Sequence, residues 1–167
     1  LILDSCCDVG ESSIGLARAY PGHYVIGVDQ SADRLARRIA DKVANRLPEN
    51  VDLVRADLVD YWRLLQDEGV RLARHYLLYP NPWPKVGHLA RRWHGHPVFP
   101  TLLALGGEFE CRSNWPIYVE EMAQAISLAT GLTVPVEAYA PETALTPFER
   151  KYLASDHALY RLRVALR

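Results

Sequence analysis

Short apolar runs that close on a polar residue alternate along this chain with longer stretches whose apolar positions recur at helical spacing. Leu1, Ile2 and Leu3 close on Asp4, and a loop of small residues leads into a helical run over about residues 11–20. Residues 25–29 repeat the pattern and end at Asp29. Ser31 is placed to cap a helix reaching about Arg46, with Leu35, Ile39 and Val43 on one stripe. A third run over 51–56 meets Asp57 ahead of a helix over 58–68. A fourth, over 75–79, breaks into Pro80-Asn81-Pro82-Trp83-Pro84. A short helix over 97–105, a strand over 108–113 and a helix over 117–130 follow. The runs at 132–138 and 157–166 have no long helix between them, which predicts an antiparallel closing pair.

Strands joined by helical crossovers must run parallel, and the crossovers cover both faces of their sheet. The pattern therefore predicts a single α/β domain of three layers, mostly parallel with an antiparallel last strand. Ligands of such sheets lie beyond the carboxyl ends of the strands, where the strand order reverses. Four of the early runs end there in a polar group: Asp4, Asp29, Asp57 and Asn81.

Composition changes this picture little. An apolar share of 49% is enough to build a core. No run is long enough to cross a bilayer, and no signal peptide stands at the start, so a cytoplasmic protein is expected. Cys6, Cys7 and Cys111 match neither a disulfide framework nor a zinc site. His94 and His96 lack a third ligand, and no metal is expected. The chain opens at Leu1 inside an apolar run, which predicts that an N-terminal segment precedes it.

Charge changes the picture more. The net charge is only -1, yet no Asp or Glu occurs from Gly69 to Gly107, where five cations and four histidines stand. Lys85, His88, Arg91 and Arg92, interleaved with Trp83 and Trp93, have the make-up of an RNA-facing loop.

A nucleoside cofactor lying across these strand ends needs a close backbone turn, an acid for its ribose and polar contacts for its base. Asp29 stands in the ribose place, and Asp57 could accept from an adenine amino group. The turn is not the G-x-G-x-x-G of a nicotinamide site. Asp4 with its loop, Val28-Asp29-Gln30-Ser31, Ala56-Asp57, the run from Tyr79 to Lys85 and Thr146-Pro147-Phe148-Glu149 together resemble the tRNA (guanine-N7)-methyltransferases. That family has a Rossmann-like class I methyltransferase fold and modifies guanine 46 of the variable loop. The proline-tryptophan run is the most specific part of the likeness.

The resemblance implies S-adenosylmethionine as cofactor, held by Asp4, Gly10, Asp29, Asp57 and Asn81, and tRNA as partner to a monomer or homodimer. It places Asn81 in the catalytic position and Lys85, Asn114, Thr146 and Glu149 at the substrate, beside His88, Arg91 and Arg92 from the basic loop. The chain departs from the family at four positions. Asn81 and Asn114 replace aspartates, and Cys6 and Asp8 replace two of the three loop glycines, which predicts weakened cofactor binding and slower transfer than an Asp at 81 would give. Two other readings compete. One is an RNA-binding paralogue without catalysis, and the other is an enzyme acting on an exocyclic amine, because Asn-Pro plus an aromatic resembles the N-P-P-[Y/F/W] element.

Overall fold

The structure, a computed structural model, describes residues 1–43 and 47–167. Five parallel strands come first: β1 (Ile2–Ser5), β2 (Val25–Asp29), β3 (Val51–Arg55), β4 (Arg74–Leu78) and β5 (Gly107–Ser113). Then β6 (Val136–Tyr139) and β7 (Leu159–Leu166) complete one sheet of order β3-β2-β1-β4-β5-β7-β6. Only β7 runs against the rest, pairing antiparallel with both β5 and β6. The expected three-layer sheet with an antiparallel last strand is what the chain forms.

Helices α1 (Glu11–Ala19), α2 (Ala32–Val43), α3 (Leu58–Asp67), α4 (Phe99–Ala104), α5 (Pro116–Thr130) and α6 (Pro147–Ala154) fill the connections. The side chains of Ile39 and Val43 and the expected extension of α2 to Arg46 lie outside the described residues. Two differences from the sequence reading concern the end of the chain. Residues 132–135 are not strand, so β6 is shorter than expected, and the eight-residue α6 lies between β6 and β7.

Alternating side chains of each strand enter opposite layers, as a pleated strand requires. Leu3 and Leu77 join Trp62 of α3, Leu102 of α4 and Met122 and Ile126 of α5 on one face. Ile2, Tyr76 and Leu78 join Leu16 and Ala17 of α1 on the other, where Phe148 and Tyr152 of α6 also pack. At Gly27 a Cβ would stand 2.1 Å from the Ser13 hydroxyl, so the bare backbone there lets α1 lie against β2.

The order reverses between β1 and β4, which lie side by side with their helices diverging. The carboxyl ends of β1, β2, β3 and β4 thus open at one rim of the sheet, and the site lies there.

Candidate active site

A cleft of about 710 Å³ opens over these strand ends, within the range of small-molecule sites. Asp29, Asp57 and Asn81 line it together with Asp8 and Arg34, and Trp83, Arg91, Trp93, Asn114 and Trp115 stand on its wall. Five non-glycine residues among those described have positive φ: Cys6, Asp8, Tyr79, Trp83 and Asp156. The first four all line this cleft. Left-handed backbone costs an ordinary residue about 1–2 kcal/mol, so the strain of this chain is concentrated where a ligand would lie.

The loop after β1 shows how. Cys6 (φ 61), Asp8 (φ 54) and Gly10 (φ 77) are left-handed at alternate positions, so the turn keeps a glycine-loop path although two glycines are absent. Gly10 begins α1, and a Cβ there would stand 2.7 Å from Leu53. Two acceptors of β2 hold this loop to the next turn: the Asp29 carboxylate accepts from the Asp8 amide at 3.0 Å and from the Ser31 amide at 2.9 Å. The Asp8 carboxylate meets the Arg34 guanidinium at 3.2 Å. The negative charge that Asp8 brings to the loop is therefore met by a cation that the sequence reading did not single out. Burial raises the Cys6 thiol to about 12, which keeps it protonated and unreactive.

Asp57 caps α3 by accepting from the Val59 amide at 2.8 Å. Asn81 forms a similar short turn, its Oδ1 accepting from the Trp83 amide at 3.2 Å. A backbone N–H can only donate, so the carboxamide oxygen must face it, and the Nδ2 amino group has no partner among the described residues.

Other expected site residues lie elsewhere. Asp4 is fully buried beneath the loop and does not line the cleft; its Oδ2 accepts from the hydroxyls of Ser12 and Ser13, each at 2.6 Å. Desolvation raises its pKa to about 6 against the pull of those hydroxyls. Gly10 also stays behind the lining. Lys85 is exposed outside the cleft, and His88 sits edge-on to Trp83 at 5.5 Å. Arg91 alone of the four expected basic-loop residues lines the cleft, its guanidinium 4.9 Å above the Trp83 ring.

Arg92 is buried; it donates to the Trp83 carbonyl and to Glu121, so it is committed within the protein. Thr146 and Glu149 are committed as well. Thr146 caps α6, accepting from the Glu149 amide at 3.0 Å. Glu149 is fully buried and accepts from the Tyr79 hydroxyl at 2.9 Å, from Arg112 at 2.7 Å and from the Leu145 amide at 2.6 Å. His75, counted in the basic segment, is a core residue bonded to Ser5 at 2.9 Å. No helix among the described residues is long and apolar enough to cross a membrane.

A family model described as "Putative methyltransferase" matches residues 1–162. The chain belongs to this methyltransferase family. A tRNA (guanine-N(7)-)-methyltransferase of Nocardioides sp. is 31% identical over 176 residues, an alignment covering 100% of this chain and 69% of that protein. Its counterpart in Zymomonas mobilis is 34% identical over 65% of this chain, a match spanning 47% of the relative's length. The structure of SMU.776, "a putative methyltransferase complexed with SAH", superposes with a TM-score of 0.63 at 16% identity, covering 98% of this chain and 44% of that one. The methyltransferase's cofactor is S-adenosylmethionine.

The residues present fit that group. The cleft is large enough, the loop holds the left-handed path that close approach to a ligand requires, and acids stand at the ends of β2 and β3 on the cleft wall. Asp29 would hold the ribose hydroxyls, Asp57 the base edge, and the backbone from Cys6 to Asp8 the amino-acid tail.

Proposed function

We propose that this methyltransferase acts on N7 of guanine in tRNA. The observation that carries the reading is the cleft over the strand ends, where the proline-tryptophan turn sets Asn81 and Trp83 beside Arg91. The Asn81 oxygen accepts from the Trp83 amide, and its amino group is free at the cleft. The major-groove edge of guanine presents two acceptors, N7 and O6. A free N–H donor there can hold O6 and leave N7 open. An enzyme acting on an exocyclic amine needs an acceptor at the same place, which the second lone pair of the Asn81 oxygen could supply, but the Pro84-Lys85 that follows Trp83 fits the guanine-N7 family better.

Guanine N7 has an in-plane lone pair and no proton, so no residue has to act as a base. The chain's task is to hold the purine in line, which by proximity alone can remove several kcal/mol of barrier. S-adenosylmethionine supplies a methyl group on a sulfonium centre. Trp83 and Trp115 offer faces on which the base can stack, each such contact being worth about 1–3 kcal/mol. Arg91 offers a cation to the phosphate backbone, with Lys85 outside the cleft for the flanking strand. Asn114 lies on the wall beside Trp115 and contributes a second polar contact. Guanine 46 is the target that family likeness favours. Relatives named as tRNA (guanine-N(7)-)-methyltransferases support the substrate class.

Changing the nucleophile tests this. Transfer to a tRNA transcript is expected, and transfer to the same transcript made with 7-deazaguanosine, whose N7 is a carbon, is expected to vanish. Equal labelling of both transcripts would refute N7 as the acceptor and favour an exocyclic amine.

A further inference from the structure

The basic segment from Gly69 to Gly107 contains no acid, yet it buries one of its own cations, Arg92. A buried guanidinium needs a counter-charge, and another element has to provide it. That element is α5. The Glu121 carboxylate, on its second turn, takes the Nη1 of Arg92 and, on the same oxygen, His94 Nε2 at 2.9 Å. Burial pushes the Glu121 carboxyl up, but the hydrogen bonds from Arg92 and His94 outweigh it and hold the group below the usual range. One turn earlier on the same helix face, the Tyr118 hydroxyl accepts from the Trp93 amide at 3.4 Å.

The rest of the Arg92 fork points at the cleft. Its Nε and Nη2 both donate to the Trp83 carbonyl, at 3.4 and 3.2 Å. Trp83 is one of the strained left-handed residues (φ 44), a conformation that persists only where its surroundings enforce it. Neither Glu121 nor Arg92 lines the cleft, whereas Trp83 does.

We propose that Glu121 is a positioning residue: through Arg92 it fixes the Trp83 turn, and so sets where the stacking face and the Asn81 amide meet the substrate base. This rests on the reading of the cleft as a guanine site. Because the grip is on the substrate side of the cleft, its loss should spare the cofactor side.

The test compares Glu121→Gln with the unaltered protein. Affinity for S-adenosylhomocysteine, measured by calorimetry, should stay within twofold, while KM for tRNA rises about tenfold and Glu121→Asp recovers part of it. In a Trp83→Ala background the same Glu121→Gln change should add less than twofold, because the residue it acts through is gone. Limited trypsin digestion gives a readout that needs no RNA: cleavage after Lys85 and Arg91 should quicken at least fivefold once the turn is released. An unchanged KM, an equal loss of cofactor affinity, or a full effect in the Trp83→Ala background would overturn the proposal. Quickened cleavage in a protein that never acts on tRNA would uphold the grip and sink the guanine reading instead. Should Glu121→Gln fail to fold, Arg92→Lys, which keeps the charge and loses the fork, takes its place with the same expectations.

Discussion

Asn81 shows what a single side chain contributes and how its two poles divide. Asp at this position would keep the acceptor for the Trp83 amide and add charge beside a purine that becomes cationic, but it would lose the free donor. Asn81→Asp is therefore expected to raise kcat severalfold and to raise KM about fivefold, the equivalent of ~1 kcal/mol for one hydrogen bond. Steady-state kinetics on tRNA checks this, and a KM that does not rise would argue against the donor. Asp29, Asp57 and Asn81 were legible in the sequence because each closes an apolar run, and the chain there has nowhere to go but the rim of the sheet. Asp4 closes such a run too, but Ser12 and Ser13 of α1 draw its side chain inward. Residue type gave no sign of that direction. Arg34 cannot be picked out from sequence for the opposite reason: it lies on α2, and its role depends on Asp8 in the loop after β1.

At the scale of elements, α6 carries the lesson. Eight residues with a proline at the start and two aromatics make no clear helical stripe, so only the family likeness assigns Thr146 and Glu149 to the substrate. The structure uses them to hold α6 against β4 and β5: Thr146 caps the helix, and Glu149 ties Tyr79 to Arg112. Thr146→Ala is expected to cost about 1 kcal/mol of stability, as lost caps do. Glu149→Ala should cost roughly 3–5 kcal/mol, because Arg112 is then left with an incomplete set of partners in the interior. Urea unfolding measures both. A Glu149 variant of undiminished stability whose RNA affinity collapsed would return that residue to the substrate. The long alternating pattern of strands and helices, by contrast, was legible throughout, since a parallel sheet can be built from it in few ways.

Over the whole molecule, two buried groups under the rim respond to pH in opposite senses. Burial lowers His75 from 6.5 to about 3, so its contribution is fully present above pH 6.5 and is lost as pH falls toward 3. Burial raises Asp4 from 3.8 to about 6, so the fold is penalised above pH 6 and relieved as pH falls toward 3.8. Between pH 7 and pH 5 the two nearly offset. Asp4→Asn should expose the His75 loss, about 1–2 kcal/mol on that acidification, and His75→Gln should show a gain of similar size. Matching urea titrations of the two variants would contradict this if their slopes with pH had the same sign. The loop beside the cleft carries only Lys85, Arg91 and Arg92 of the chain's 19 Lys and Arg residues, and no acid. Whether this cleft presents guanine N7 for methylation is decided by the identity of the methylated nucleoside. Incubation with methyl-labelled S-adenosylmethionine and bulk tRNA, followed by digestion to nucleosides, should put the label in 7-methylguanosine; label in an exocyclic-amine product, or RNA retained without label, would contradict the guanine-N7 reading.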